Sequence, residues 1–415
     1  MMHAKVCRME SRMKKTIVIW MVLILITLSF AGCSKQTEDK AESVTITIWH
    51  DKEDEVANVM QTALDTLAPE IIVKLEKKNG LTDALKMVGN DKNAAPDLYF
   101  FAHDKIGVYA EMGILAPITD FLEEDTLNQY LDNTLAAASY HGTLYQLPIY
   151  YETLLFMYNK ALMTEAEVPT TTEDLYSYMQ AHTANGSYGF VEQHSTAYYS
   201  VPWIHGFGGS LIDETGNSKL DSIEVNKALQ YHKKFLEFMP GESEYSTVNT
   251  LFLEGFANST IGGPWLVPTA REAGIDLGFA AMPTVNETGL PLSPYSGVQG
   301  VHVLKVAAEG KKEAVTKVLE CLSNPQVGID MAKVSGCAPA NSLSYEDPEI
   351  AQDQMIMMMK QTAESAIPMP NIPEMDVMFV VTGNLLVSVN MKDEDVTAAT
   401  KSAQEKAIAL INAMK

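Results

Sequence analysis

Two apolar runs in this chain break off on the same kinds of side chain. Trp49 is followed by His50-Asp51-Lys52, and Phe100-Phe101-Ala102 by His103-Asp104-Lys105. A short strand that ends on charge delivers that charge at its carboxyl end, where open α/β sheets bind their ligands. A further carboxylate, Glu152, follows Tyr150-Tyr151 at a point where the chain is expected to cross between two lobes. Tyr198-Tyr199 opens a helix, and Trp265 hangs at the mouth of another after Gly262-Gly263-Pro264, with Pro264 suited to the first helical position. Charged groups are costly to bury without partners, so this set reads as the lining of a cleft.

The elements that must position these residues follow from pattern. Val44 to Trp49 alternates as a first strand; a helix is expected over 54–67, a strand over 71–75 and a helix over 82–88. The stretch from Pro96 to Thr119 supplies a buried strand at 97–101, a polar turn at 102–105 and a helix that stops near Gly113. That β-α-β-α-β order implies a largely parallel sheet. His141-Gly142 marks a turn between two short strands, and Leu154 to Lys160 is another buried strand. A helix over 172–181, a short strand at 188–190, and helices near 222–238 and 246–255 belong to a second lobe. The strand 297–304 returns to the first. Helices near 311–322, 325–334, 347–361, 375–389 and 394–414 complete the chain, with an irregular Pro368–Pro373 segment between the third and fourth. Three crossings between lobes make a hinge.

Composition narrows the class. Lys14 and Lys15 precede an apolar run from Ile17 to Phe30, too short for a comfortable membrane span, and Ala31-Gly32-Cys33 follows. Residues 1–32 therefore read as a signal peptide, with Met1 or Met13 as the start. Small residues before a cysteine resemble a lipobox, which implies lipid on Cys33 and a flexible tether over 33–43. The expected location is extracytoplasmic, on the outer face of the cell membrane, which is the periplasmic side if there is an outer membrane. The membrane is reached through the lipid alone. About 380 residues remain, more than one core holds, so the expected lobes are 44–150 with 298–345, and 151–297 with 346–415. The chain has 30 basic and 53 acidic side chains. Five of the basic ones and Glu10 precede Cys33, which leaves 25 against 52, a net charge of −27. Such a surface argues against nucleic acid and anionic lipid as partners and suits a soluble, non-sticky body, expected as a monomer. Cys321 and Cys337 either pair, since an exported chain allows it, or stand as two unrelated buried thiols.

Four segments, Pro96–Thr119, Pro148–Lys160, Gly262–Trp265 and Met369–Met375, occur in an order that resembles the maltose/maltodextrin-binding proteins, extracellular solute-binding proteins of bacterial ABC importers. The resemblance implies an α/β, two-lobe periplasmic-binding-protein-like fold, with a ligand cleft between lobes joined by a multi-crossing hinge. It implies capture of a maltose- or maltodextrin-type oligosaccharide and delivery to the permease subunits of an ABC importer, without cofactor, metal or catalysis. On matching positions it places charged sugar ligands at Asp51, Lys52, Asp104 and Glu152 and aromatic platforms at Tyr198 and Trp265. Flat rings cover the C–H faces of a sugar while carboxylates accept from its hydroxyl rim. Phe101 and Phe379 stand where the family has Trp, and Lys105 where it has Arg. Thr196 replaces an acidic ligand, and Val380 and Gly383 replace a Tyr and an Arg. These departures remove contacts at further glucose units.

Other readings use the same residues. Asp104 and Glu152 would serve a glycosidase as acid and base, although no nucleophile motif accompanies them. Tyr198-Tyr199 resembles the tyrosine pair of ferric-iron-binding relatives, but Trp265 and Asp51-Lys52 have no role around a metal. A different sugar is a further alternative. His103, His194 and His205 lack metal-ligand spacing and are expected in local hydrogen bonds, as Asp97 is at a strand edge. Met355, Met357, Met358 and Met359 are expected to pack into a core rather than bind copper.

Overall fold

The computed structural model describes residues 43–414. The expected leader, Cys33 and all but the last residue of the tether lie outside the described residues.

Alternation builds the first strand: in β1 (Val44–His50), Ile46 and Ile48 are fully buried between half-buried threonines. α1 (Asp54–Leu64) buries Val56, Met60 and Leu64, spaced about one turn apart, and is followed by β2 (Ile71–Lys77) and α2 (Leu81–Val88). β3 (Leu98–Ala102) leads through a tight turn at His103–Lys105 into α3 (Ile106–Glu111). After the two-residue β4 (Leu115–Ala116), β5 (Ser139–Tyr140) and β6 (Thr143–Leu144) form the expected hairpin. Its His141 and Gly142 have φ of 47° and 76°, the two left-handed positions that a two-residue hairpin needs.

β7 (Gln146–Thr153) and β8 (Leu155–Asn159) are separated by one residue, Leu154, yet belong to different sheets. α4 (Thr172–His182) is capped by Thr171, whose hydroxyl accepts from the Asp174 amide while the Asp174 carboxylate accepts from the Thr171 amide. α5 (Ala197–Gly206), α6 (Ile223–His232), α7 (Tyr245–Leu253), β9 (Ser259–Gly262) and β10 (Leu277–Ala280) follow. The expected strand at 188–190 does not form. In its place are two single bridges, Tyr188 to Ala257 and Val191 to Thr260, with Gly189 donating to the Thr183 hydroxyl and accepting from that of Ser259.

β11 (Tyr295–Leu304), buried along its whole length, re-enters the first sheet. α8 (Lys305–Leu322) starts six residues earlier than the pattern suggests and bends at Lys311, whose ammonium reaches the Asp97 carboxylate at 2.8 Å. Asp97 also accepts from the Thr47 amide, so it is the strand-edge residue expected. α9 (Pro325–Ser335), β12 (Ala338–Pro339), α10 (Gln354–Thr362), β13 (Ile367–Pro368), α11 (Met375–Leu386) and α12 (Val396–Met414) finish the chain.

The large sheet has the order β12-β7-β11-β3-β1-β2, with β4 and β13 also on β11. β1 is parallel to β2 and to β3, where helices return the chain, and the two-residue β13 is parallel to β11. β11 runs against both β3 and β7, and β7 against β12. The parallel expectation fails on that half because β11 arrives straight from the other lobe, with no crossover helix to turn it round. The smaller sheet, β10-β8-β9, is antiparallel. Each lobe has its own core: Ile48, Phe100, Leu147, Val301 and Leu319 in one, Phe156, Phe190, Trp203, Phe235 and Leu385 in the other. A third cluster, with Tyr151, Leu155, Met157, Val298, Met355 and Met359, packs where β7, β8 and β11 pass between them. Met355 and Met359 are core residues, as expected, and Met358 packs half-buried against them, but Met357 is exposed and does not join the core.

Candidate functional site

Strand direction decides where the charges meet. β1 and β3 are parallel, β11 opposes β3, and β7 opposes β11. The carboxyl ends of β1, β3 and β7 and the amino end of β11 therefore share one edge of the sheet. β12 opposes β7, which brings the residue before it, Cys337, to that edge as well.

Lys52 and Glu152 make no direct ion pair among the described residues; Gln299 stands between them. The Lys52 ammonium donates to Gln299 Oε1 at 2.9 Å and lies 2.8 Å from Asp51 Oδ1. The Gln299 amide nitrogen donates to Glu152 Oε1 at 3.4 Å, and the Cys337 thiol to Glu152 Oε2 at 3.7 Å. The same ammonium sits 5.7 Å and 5.6 Å from the ring centres of Phe100 and Phe101, close enough for cation–π attraction. Burial raises the Glu152 pKa above the ordinary carboxylate value, against the pull of Lys52, Gln299 and Cys337. Burial, and then the Glu152 charge, push the Cys337 thiol well up, so it remains an S–H donor.

The second charged corner follows β3. His103 accepts from the Val298 amide at 3.0 Å on Nδ1 and meets the Met369 carbonyl at 2.8 Å through Nε2, which pins the turn to β11. Asp104, the next residue, has Oδ2 3.2 Å from the Lys105 ammonium, while its buried Oδ1 has no hydrogen-bond partner among the described residues. Lys105 also pairs with Asp376 on the first turn of α11. Burial works against the Lys105 ammonium, but Asp104 and Asp376 outweigh it and hold its pKa above the usual lysine value.

The aromatic side is built on helix starts. Gly263 lets the Trp265 ring fold back over the backbone, since a Cβ there would come within 2.2 Å of it. The indole nitrogen donates to the Tyr199 hydroxyl at 3.2 Å, and the ring centre lies 6.3 Å from that of Tyr198. Tyr198 is close to the charged edge. After burial, the Glu152 charge is the largest influence that pushes its phenol well above the ordinary tyrosine value.

A family model described as bacterial extracellular solute-binding protein matches residues 67–358, well over half of the chain. The chain belongs to that family. The maltotriose-binding protein of Pyrococcus abyssi is 29% identical to this solute-binding protein over 381 residues, covering 89% of this chain and 83% of the relative. The galactooligosaccharide-binding protein of Bacillus subtilis is 28% identical over 425 residues, covering 97% of this chain and 99% of its own. A crystal structure of a cyclo/maltodextrin-binding protein complexed with maltotetraose superimposes with a TM-score of 0.82, over 91% of this chain and all of that one. At 24% identity that likeness concerns the fold, and it agrees with two cores joined where β7, β8 and β11 pass between them. No described helix is long and apolar enough to cross a membrane.

The structure of this solute-binding protein brings Asp51, Lys52, Phe101 and Glu152 into one cluster, joins Asp104 to Lys105, and sets Tyr198 beside Trp265. Phe379 packs against the second lobe's core, and it is Asp376, one turn earlier on α11, that reaches the charged edge. Four neighbours of the site escaped the sequence: Gln299, Cys337, Asp376 and Tyr245. Gln299 had a signal, a polar residue within the apolar run of β11, and Cys337 drew notice only as a disulfide candidate. Tyr245, exposed at the start of α7, lies near enough to add to the raised pKa of Tyr199, after burial. Both cysteines among the described residues are free: Cys321 donates to the Ala63 carbonyl and Cys337 to Glu152, so they do not pair, although only Cys337 is buried and Cys321 is half-buried. His194 and His205 meet the carbonyls of Pro240 and Ser293 at 3.2 Å and 2.6 Å, the local bonding expected of them.

Proposed function

We propose that this protein captures a maltodextrin-type oligosaccharide in the cleft and passes it unaltered to the permease of an ABC importer. The observation that carries the reading is a hydrogen-bonding edge (Lys52, Gln299, Glu152 and the unpartnered Asp104 oxygen) with a pair of rings (Tyr198, Trp265), Tyr198 lying near enough to feel the Glu152 charge. Sugars present hydroxyl rims and apolar faces, and this pair of surfaces suits both. The lobes, 44–150 with 298–345 against 151–297 with 346–415, would close on the ligand by rotation, because bound sugar gains partners on both sides only in the closed form. The protein works as a monomer, held at the outer membrane face by lipid on Cys33.

The Pyrococcus relative, named for maltotriose, supports the α-glucan reading. One observation favours a second: the Bacillus relative that aligns over nearly the whole chain is named for galactooligosaccharides. Tryptophan fluorescence against maltose, maltotriose, maltotetraose, cyclodextrins and galactooligosaccharides separates them. Saturable quenching by maltotriose or maltotetraose is expected, and a response to galactooligosaccharides alone would transfer the assignment. The iron reading is disfavoured on chemistry. Burial pushes the Tyr198 and Tyr199 phenols away from the phenolate form, and Tyr199 already accepts from the Trp265 indole. A glycosidase reading requires free glucose on prolonged incubation with maltotriose, and none is expected.

A further inference from the structure

We propose that Gln299 is a positioning and specificity-determining residue of the cleft: its side-chain amide bridges the Lys52 ammonium and the Glu152 carboxylate, fixing both while leaving each free hydrogen-bonding capacity for ligand hydroxyls. The inference rests on the sugar-binding reading above and adds to it a residue that the resemblance does not assign.

The geometry is that of an adapter. Lys52 follows β1 and Glu152 ends β7, with β3 and β11 lying between those strands, so a bridge carried on β11 is what ties the two charges into one polar edge. An amide presents an acceptor and a donor a little over 2 Å apart, so it satisfies each charge with the proper end. Here Oε1 accepts from Lys52 at 2.9 Å and Nε2 donates to Glu152 at 3.4 Å. Gln299 is 8% exposed on β11 and paired on both sides, to Ala102 of β3 and to Tyr150 of β7, just before a register irregularity at Gly300. Lys52 has three donors, and Asp51 and Gln299 take two. On Glu152, Gln299 holds one oxygen and the Cys337 thiol the other, each leaving a lone pair for a hydroxyl. The acceptor end also fixes which way round the amide sits: only the oxygen can face an ammonium.

Glu152 is surrounded by Lys52 and Asp51 after β1, Gln299 on β11, Cys337 before β12, Tyr150 on its own strand and Tyr198 on α5. Burial raises its pKa, while Lys52, the Gln299 N–H and Cys337 lower it. Removing the Gln299 donor therefore shifts the Glu152 midpoint upward, and ligand affinity is then lost at a higher pH as pH falls.

The test uses Gln299→Met, of similar length but without donor or acceptor, and Gln299→Glu, which keeps the shape and replaces the N–H by oxygen, should the first fail to fold. Two readouts are taken. The first is maltotriose affinity by fluorescence titration, alone and combined with Glu152→Gln. The second is the Glu152 carboxyl titration by 13C NMR without sugar. The expected results are an affinity loss of about tenfold or more, a double variant little weaker than the worse single one, and an upward shift of the Glu152 midpoint. Unchanged affinity with a lowered melting temperature would reduce Gln299 to a core residue and overturn the proposal, as would an unmoved Glu152 midpoint. If the wild-type protein ignores every sugar tested, the functional reading falls, and the NMR titration still decides whether Gln299 governs Glu152.

Discussion

On the first lobe's side of the proposed cleft, each charged group stands at a strand end and already has a partner. Lys52 is held by Asp51 and Gln299, Glu152 by Gln299 and Cys337, and one oxygen of Asp104 by Lys105. On the second lobe's side, Trp265 and Tyr245 sit on the first turns of helical segments and remain 37% and 48% exposed. The difference separates two tasks. A hydroxyl that arrives at the polar edge exchanges water for protein and gains little net energy, but it finds its partners already oriented. A sugar face that arrives at the rings removes apolar surface from water that nothing else covers. The rings should therefore carry most of the affinity and the polar edge most of the selectivity.

Trp265→Ala tests this division most severely. Covering on the order of 100 Å² of ring at about 25 cal/mol/Å² is worth about 2.5 kcal/mol, close to a hundredfold in affinity. The substitution should cost about that factor for every α-glucan tested. The melting temperature should move by less than about 2 °C, because the indole is partly exposed and has one hydrogen bond to lose. Titration calorimetry and thermal unfolding measure the two effects. A large loss of stability with intact binding would make the ring part of the core.

Asp104→Asn examines the other side. The amide keeps the shape but gives up the charge that strengthens a hydroxyl contact, so an affinity loss of about tenfold is expected. The loss should differ between sugars: maltotriose and galactooligosaccharide titrations of the same variant should fall by unequal factors if the polar edge selects. An equal loss across the panel would assign selectivity to the rings after all.

The sequence was most informative where local pattern and site coincide. Asp104 and Lys52 announce themselves because an apolar strand stops abruptly on charge, and Trp265 because a Gly-Gly-Pro turn must start something helical. Gln299, Cys337 and Asp376 are invisible to that kind of reading. Their places depend on β11 running against β3 and β7, on β12 running against β7, and on the first turn of α11 reaching Lys105 after β3, none of which has a local signature. The same cause explains the sheet. The β-α-β order correctly gives the parallel β3-β1-β2 half, but strands that arrive from another lobe leave no crossover helix to betray their direction. The failed strand at 188–190 is a weaker case of the same kind, since its bridges go to Ala257 and Thr260, some seventy residues away.

Asp376→Asn gives the smallest expected effect and bears on what joins the two sides. Lys105, anchored by Asp104 after β3, also pairs with Asp376 on α11, whose neighbouring turn packs into the second lobe's core. Closure of the cleft should favour this contact, and opening should break it. Asp376 is half-exposed, so water and salt screen the pair and its worth is small. An affinity loss of about two- to threefold is expected at low ionic strength, shrinking toward none near 1 M salt. The rings and the buried polar edge should show far less salt dependence, since neither relies on an exposed ion pair. A loss that persists unchanged at high salt would mean that Asp376 touches the ligand itself. The polar edge would then extend onto the second lobe, and the division between the two sides would not hold.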